Sequence, residues 1–372
     1  MNSKTQTLQT VPANAGRFRR ILFRLLGPAV SKTVVCRLLR RKIYMGAAEL
    51  PAGRTRCSEF LFILPADRIE MIFQLENLFA ILGRYKSSNL TFLCPTAHTS
   101  FVSALKNVRV VKFNPDDFEL YSTEFMRVTA ELAPKSFDIC VVLEKKHSLA
   151  HLYIAGMSRS HLRVGWGCDK SAPFLNIRFV PEAQNGVTLW ERNLEAAKIL
   201  DADADTTVRW GVQKSTAEEV AELLKEHKLK KDPALICVDA ASLESGCGKE
   251  WCAELLRSVK GAIPGNIYVF GGLEGENIAV KDAPFPVLPP MTIPKAAALM
   301  ACTDIVITGV GALLGLAQIS AAKIVPVLTK EQAALYCRKS GKIAPVIFAE
   351  KPAADDIRAV QKNSKALMTA SA

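Results

Sequence analysis

From Phe60 onward, short apolar runs alternate with stretches of helical periodicity, and this alternation restricts the chain to parallel sheets with helices on both faces. The spacing predicts strands over Phe60 to Leu64, Leu90 to Cys94, Val108 to Phe113 and Phe137 to Leu143, then a pair near Leu162 to Gly165 and Asn176 to Val180. Helices are expected over Ile69 to Leu82, Tyr121 to Leu132 and Val187 to Leu200, the first two stopping near Gly or Pro. The polar, unpatterned DADADTTVRWGV after Leu200 marks a domain junction. The alternation then restarts, with helices Ser215 to His227, Lys249 to Val259 and Ile293 to Met300 and strands Ala234 to Val238, Ile267 to Phe270, Ile305 to Thr308 and Ile324 to Val327. The reading is an α/β chain with an arm over 1–56, units over 57–205 and 206–350, a cleft between the units, and a terminal helix and tail over 351–372.

A length of 372 residues, 49% of them hydrophobic, supplies more than one core. Residues Ile305 to Ala322 are eighteen in a row without a charge, but three glycines, Thr308, Gln318 and Ser320 dilute them. They read as a buried strand and a small-residue helix rather than a membrane span. The ten cysteines are scattered, without a CxxC pair, as expected of buried thiols in a reducing compartment. No secretory signal is evident, because Arg interrupts the early apolar stretches.

The charge is unevenly placed. The first 56 residues hold twelve Lys and Arg against one acid, Glu49, while the remainder balances 36 basic against 35 acidic residues. A nucleic-acid surface over the body therefore loses its basis. In the segment from Arg17 to Lys42, Phe18, Ile21, Leu22, Leu25 and Leu26 fall on one helical arc opposite Arg17, Arg20 and Arg24. Gly27-Pro28 breaks the helix, and a second stripe of Val34, Val35, Leu38 and Leu39 lies against Arg37, Arg40 and Arg41. Both pieces are too short and too charged to span a bilayer, and suit the interface of an anionic membrane. A helical arm packed on the body and an organellar presequence stay open; nucleic acid would leave the apolar stripes unexplained.

Ligands of open parallel sheets bind beyond the carboxyl ends of strands. The loops to consider are PADRIE after Leu64, FGGLEGE after Val269 and TGVGALLG after Ile307. Glycines in the last two let a backbone approach phosphate, although glycine at such turns is as often steric.

The order of these segments resembles glycosyltransferase family 9, the ADP-heptose:lipopolysaccharide heptosyltransferases and relatives, over most of Phe60 to Val327. ILPADRIEMIFQLENLFAILGRY is similar to the family's opening strand, loop and helix; FDICVVLE and AGMSRSHLRVGW resemble its middle strands, and TLWERNLEAAKIL its helix before the junction. NIYVFGGLEGE resembles its donor-side strand and turn, and MACTDIVITGVGALLGLAQISAAKIVPVL its final strand-turn-helix-strand. The resemblance implies a GT-B fold of two Rossmann-like parallel-sheet domains. It also implies metal-independent, inverting transfer of a sugar from a nucleotide donor to a lipid-linked acceptor, at the cytoplasmic face of a bacterial inner membrane. No cofactor is implied beyond the nucleotide-sugar substrate.

The departures fall on the chemistry. The family's Gly-Asp after Arg-Ile, the Asp being the general base, reads Glu70-Met71 here, leaving Glu70 and Asp67 as the carboxylates that remain. The family's D-[ST]-G-x-x-H maps onto Gly309, Val310, Gly311, Ala312, Leu313 and Leu314, so that only Gly311 survives beside Thr308. Gly271, Gly272 and Glu274 match the donor turn, Glu274 being placed for a ribose, while Lys249 lies near the family's Lys-Arg-Trp-Pro segment out of register. Two readings follow: chemistry rebuilt from neighbours such as Asp239 and Lys249, or a chain that no longer transfers sugar and binds a ligand or a protein partner through arm or cleft. Glu144, His147 and His151 at helical spacing read as a solvated or pairing face rather than a zinc site. Cys247 and Cys252 flank Lys249, but core or loop thiols are the preferred reading there.

Overall fold

The computed structural model describes residues 57–86, 88–103, 105, 108–145, 148–167, 174–179, 193–202, 214–230, 232, 234–276, 283–320, 322–338 and 340–369. The arm over 1–56, with every residue assigned to membrane contact, and His147 lie outside them.

The chain forms two compact units, each built on an all-parallel sheet. The first comprises residues 57–66 and 85–179 among those described. Its strands are β1 (Glu59–Ile63), β2 (Asn89–Pro95), β3 (Val108–Phe113), β4 (Ile139–Val142), β5 (Leu162–Trp166) and β6 (Ile177–Phe179), in the order β3-β2-β1-β4-β5-β6. The second comprises 67–84 and 193–369. Its strands are β7 (Leu235–Val238), β8 (Asn266–Val269), β9 (Ile305–Thr308), β10 (Lys323–Thr329) and β11 (Val346–Phe348), in the order β11-β10-β9-β7-β8. Central strands of a doubly covered sheet bury both faces, so β4, β7 and β9 are buried at every residue and read as unbroken apolar runs.

The helices in chain order are α1 (Arg68–Phe73), α2 (Leu75–Arg84), α3 (Thr99–Ser103), α4 (Thr123–Leu132), α5 (Leu149–Met157), α6 (Glu195–Ile199) and α7 (Lys214–Glu226), followed by α8 (Ala240–Cys247), α9 (Lys249–Val259), α10 (Ile293–Cys302), α11 (Ala312–Gln318), α12 (Lys330–Tyr336) and α13 (Ala354–Thr369). In the first unit Leu61, Ile63, Val111, Cys140 and Val142 meet Phe125 and Val128 of α4 in one core. In the second, Val238, Val269, Ile307 and Val327 meet Leu255 and Val259 of α9 and Ile357 and Val360 of α13. The uncharged run from Ile305 resolves into β9, a turn and α11, and no helix among the described residues is long and apolar enough to cross a membrane.

The helix expected over Ile69 to Leu82 is two, broken at Gln74. A buried amide triad explains the break. Asn193 Nδ2 donates to the Phe73 carbonyl at 2.8 Å, Gln74 Nε2 donates to Asn193 Oδ1 at 3.0 Å, and Asn77 Nδ2 donates to Gln74 Oε1 at 3.2 Å. Asn77 Oδ1 in turn accepts from Ala197 N at 2.8 Å. A partner 120 positions away in sequence thus takes a carbonyl that a continuous helix would use itself.

Candidate functional site

The carboxyl ends of β7 and β9, neighbours at the centre of the second sheet, converge on one polar cluster. Asp239 follows β7 and caps α8, its Oδ1 accepting from Ser242 N at 3.3 Å. Its Oδ2 accepts from Thr308 Oγ1 at 2.9 Å. Ser242 Oγ donates to the Asp239 carbonyl at 3.1 Å and accepts from Gly309 N at 2.9 Å, lying 3.2 Å from Thr308 Oγ1. Thr308 is fully buried and Asp239 is 5% exposed. Burial pushes the Asp239 carboxyl above its ordinary value, and Glu276 adds to this; the hydrogen bonds from Ser242 and Thr308 oppose it without cancelling it.

The glycines of this turn have a packing reason. A Cβ on Gly309 would stand 2.7 Å from the Ser242 carbonyl oxygen, and one on Gly311 would stand 3.2 Å from Ser242 Cβ. The turn thus lies directly on the first turn of α8. Gly311 is extended, a conformation open to any residue, so its need for glycine is one of space. The positions that the resemblance gives to phosphate-binding side chains run on into α11, where Leu313 is 1% and Leu314 0% exposed.

Thr308, Gly309 and Gly311 therefore come together with Asp239 and Ser242. The loop after β8 is organised differently. A Cβ on Gly271 would overlap the Leu288 carbonyl, and Gly272 and Gly275 have φ of 96° and 85°, which favour glycine. Glu274 is exposed, and its backbone N–H donates to Met291 O at 3.0 Å. Glu276 holds the turn: Oε2 accepts from Leu273 N at 2.8 Å, and Oε1 pairs with Arg68 of α1 at 3.3 Å. Sequence reasoning passed over Glu276; the readable signal was the second acid in GLEGE, after a glycine that forces a turn. Lys249 is exposed at the start of α9, with the whole of α8 between it and Asp239, a rise of about 12 Å.

Asp67 is exposed and caps α1, its Oδ1 accepting from Glu70 N at 2.8 Å. Glu70 is half-buried in that first turn, and Met71 is fully buried. The helix that carries Glu70 packs on α11, where a Cβ on Gly315 would come within 2.6 Å of Ile72 Cγ2.

One cluster differs from its expected solvated character. Glu144, expected on a solvated or pairing face, is buried at the end of β4 and accepts from Ala66 N at 2.9 Å, while the Ala66 carbonyl meets His98 Nε2 at 3.1 Å. His151 packs against the Phe113 and Phe118 rings with Nδ1 3.0 Å from Ser148 Oγ, and no metal-binding group of three or more His, Cys, Asp or Glu occurs among the described residues. Burial lifts the half-buried Cys247 and buried Cys252 thiols to about 11 and about 12, in line with the expected unreactive core or loop thiols.

No protein-family model and no curated protein matches this chain. Solved structures do. A family 9 glycosyltransferase from Veillonella parvula superposes with a TM-score of 0.68 at 12% identity, covering 84% of this chain and 98% of that one. The E. coli ADP-heptose lipopolysaccharide heptosyltransferase II gives 0.63 at 16% identity, over 84% and 99%. The chain has their fold. An E. coli heptosyltransferase solved with ADP gives 0.57 at 15% identity, over 84% and 99%. The two parallel-sheet units are those of the GT-B architecture that the motif order led us to expect.

The weakened acidity of buried Asp239 has a measurable consequence in this fold. Because the folded state holds the Asp239 proton more tightly than the unfolded chain does, stability falls as pH rises from the ordinary carboxylate value of 3.8 towards the folded value, and is flat above it. Asn keeps the cap and removes the charge. Asp239→Asn should therefore gain thermal stability over the wild type between pH 4 and pH 7. A melting-temperature difference that is constant or shrinks over that range would contradict the buried charge.

Proposed function

We propose that this chain is a glycosyltransferase-like protein of the heptosyltransferase type in which sugar transfer has been lost. It rests on an anionic membrane, the cytoplasmic face of a bacterial inner membrane, through its basic arm, and serves as a ligand-binding or partner subunit there. One observation carries the reading: the two positions that the resemblance gives to the general base and to the phosphate-binding imidazole are Met71 and Leu314, both fully buried. A thioether and an isobutyl group take no proton and donate no hydrogen bond. No resident cofactor belongs to this reading.

A second reading, active transfer, is favoured by Asp67, whose carboxylate is exposed and uses one oxygen in its cap. In that reading Asp67 takes the proton of an acceptor hydroxyl as its oxygen attacks the anomeric carbon. The bond from that carbon to the donor phosphate breaks, and the nucleoside diphosphate leaves. Incubating the full chain with ADP- and UDP-sugars and a lipid-linked glycan extract, and measuring nucleoside diphosphate release, separates the two. The expected result is release no faster than without protein. Turnover that disappears in Asp67→Asn establishes the enzyme instead.

A further inference from the structure

We infer that Asp239 is a built-in anion: its carboxylate fills the seat that a ligand phosphate would take at the carboxyl ends of β7 and β9, and so decides whether this chain binds phosphorylated ligands. The inference rests on the reading of the chain as a non-transferring member of this fold and names the residue responsible for part of that loss.

A phosphate in a parallel α/β sheet is received beyond the strand ends by backbone N–H groups at a helix start and by nearby hydroxyls. The second unit has such donors at β7 and β9, and three of them are engaged within the chain. Ser242 N–H and the Thr308 hydroxyl donate one each to the two Asp239 oxygens, and Gly309 N–H donates to Ser242 Oγ. The occupant is an acid on the chain itself, 5% exposed and held from both strand ends. It also repels a second anion, and Glu276, whose charge Asp239 feels, adds to that repulsion while being paired with Arg68 at 3.3 Å. The Gly309 turn sits on the Ser242 carbonyl with no room for a side chain.

Asp239→Gly empties the seat and keeps an acceptable helix cap, whereas Asp239→Asn removes the charge but leaves the volume. Isothermal titration of the full chain with ADP, inorganic pyrophosphate and adenosine tests the inference. ADP and pyrophosphate should bind Asp239→Gly at least tenfold more tightly than wild type, with Asp239→Asn between them and adenosine unchanged. Adding Thr308→Val to Asp239→Gly should reverse most of the gain, because the vacated hydroxyl donor is gone. If variants that melt cooperatively bind both phosphates no better than wild type, the inference fails while the loss of transfer stands. If the wild type itself binds ADP at micromolar concentration, Asp239 is not an excluder, and the non-transferring reading fails if nucleoside diphosphate release is also found.

Discussion

Gly271→Ala should destabilise the second unit by about 3 kcal/mol or more, among the largest effects of any single methyl group in this chain. The added Cβ would overlap the Leu288 carbonyl, and that carbonyl belongs to a stretch of backbone locked on both sides. Val269 N donates to Pro286 O at 2.9 Å, Leu288 N to Val269 O at 3.0 Å, and Met291 N to Gly272 O at 3.1 Å. A flexible side chain would turn aside, but this segment moves only by giving up bonds worth about 1 kcal/mol each. Gly246→Ala is the matched control: inside α8, with nothing within 4 Å of the new methyl, it should be neutral or stabilising by about 0.5–1 kcal/mol. Urea midpoints for the two variants should separate widely. Equal midpoints would mean that the β8 loop is not packed as described.

Replacing Arg17, Arg20, Arg24, Arg37, Arg40 and Arg41 together by Ser in the full chain should abolish binding to phosphatidylglycerol-rich vesicles. Each cation near an anionic surface contributes about 1 kcal/mol, so the set is worth about 6 kcal/mol, or about four decades in the partition constant. The apolar face makes a separate contribution. Serine at Phe18, Leu22 and Leu25 should weaken binding with less dependence on salt, whereas the arginine set should account for most of the salt sensitivity. Sedimentation with anionic and with zwitterionic vesicles reads both. Unchanged binding of the arginine variant to anionic vesicles would remove the membrane from the proposed function.

The sheet was legible because its central strands must be apolar on both faces. LICV and IVIT announce themselves whatever surrounds them. β11 was not foreseen: at three residues, with Ile347 exposed on an edge, VIF carries too little pattern. The helix α8 that follows β7 was also missed. The sequence AASLESGC mixes Ser and Gly with few apolar positions, and its clearest sign, Asp239 three residues before Ser242, was read as an isolated carboxylate rather than as a cap. The break at Gln74 depends on Asn193, far along the chain, and no local pattern carries it. At the site, the glycines of the Thr308 turn were visible, but their purpose was not. Whether such a residue makes room for a ligand or for Ser242 is settled only by what stands opposite.

The second unit is discontinuous in the chain, and this bears on its birth on the ribosome. Its α1–α2 segment is translated early, before most of the first sheet, yet the α11 glycine that receives Ile72 emerges about 240 residues later, a delay of roughly 10–50 s at ordinary elongation speeds. Through that interval Met71, Ile72 and Phe73, all fully buried in the finished protein, wait without Gly315 and the rest of their own unit. A nascent chain stalled anywhere in the interval presents this apolar segment to chaperones, so the vulnerable moment in this protein's life falls before its last strands exist.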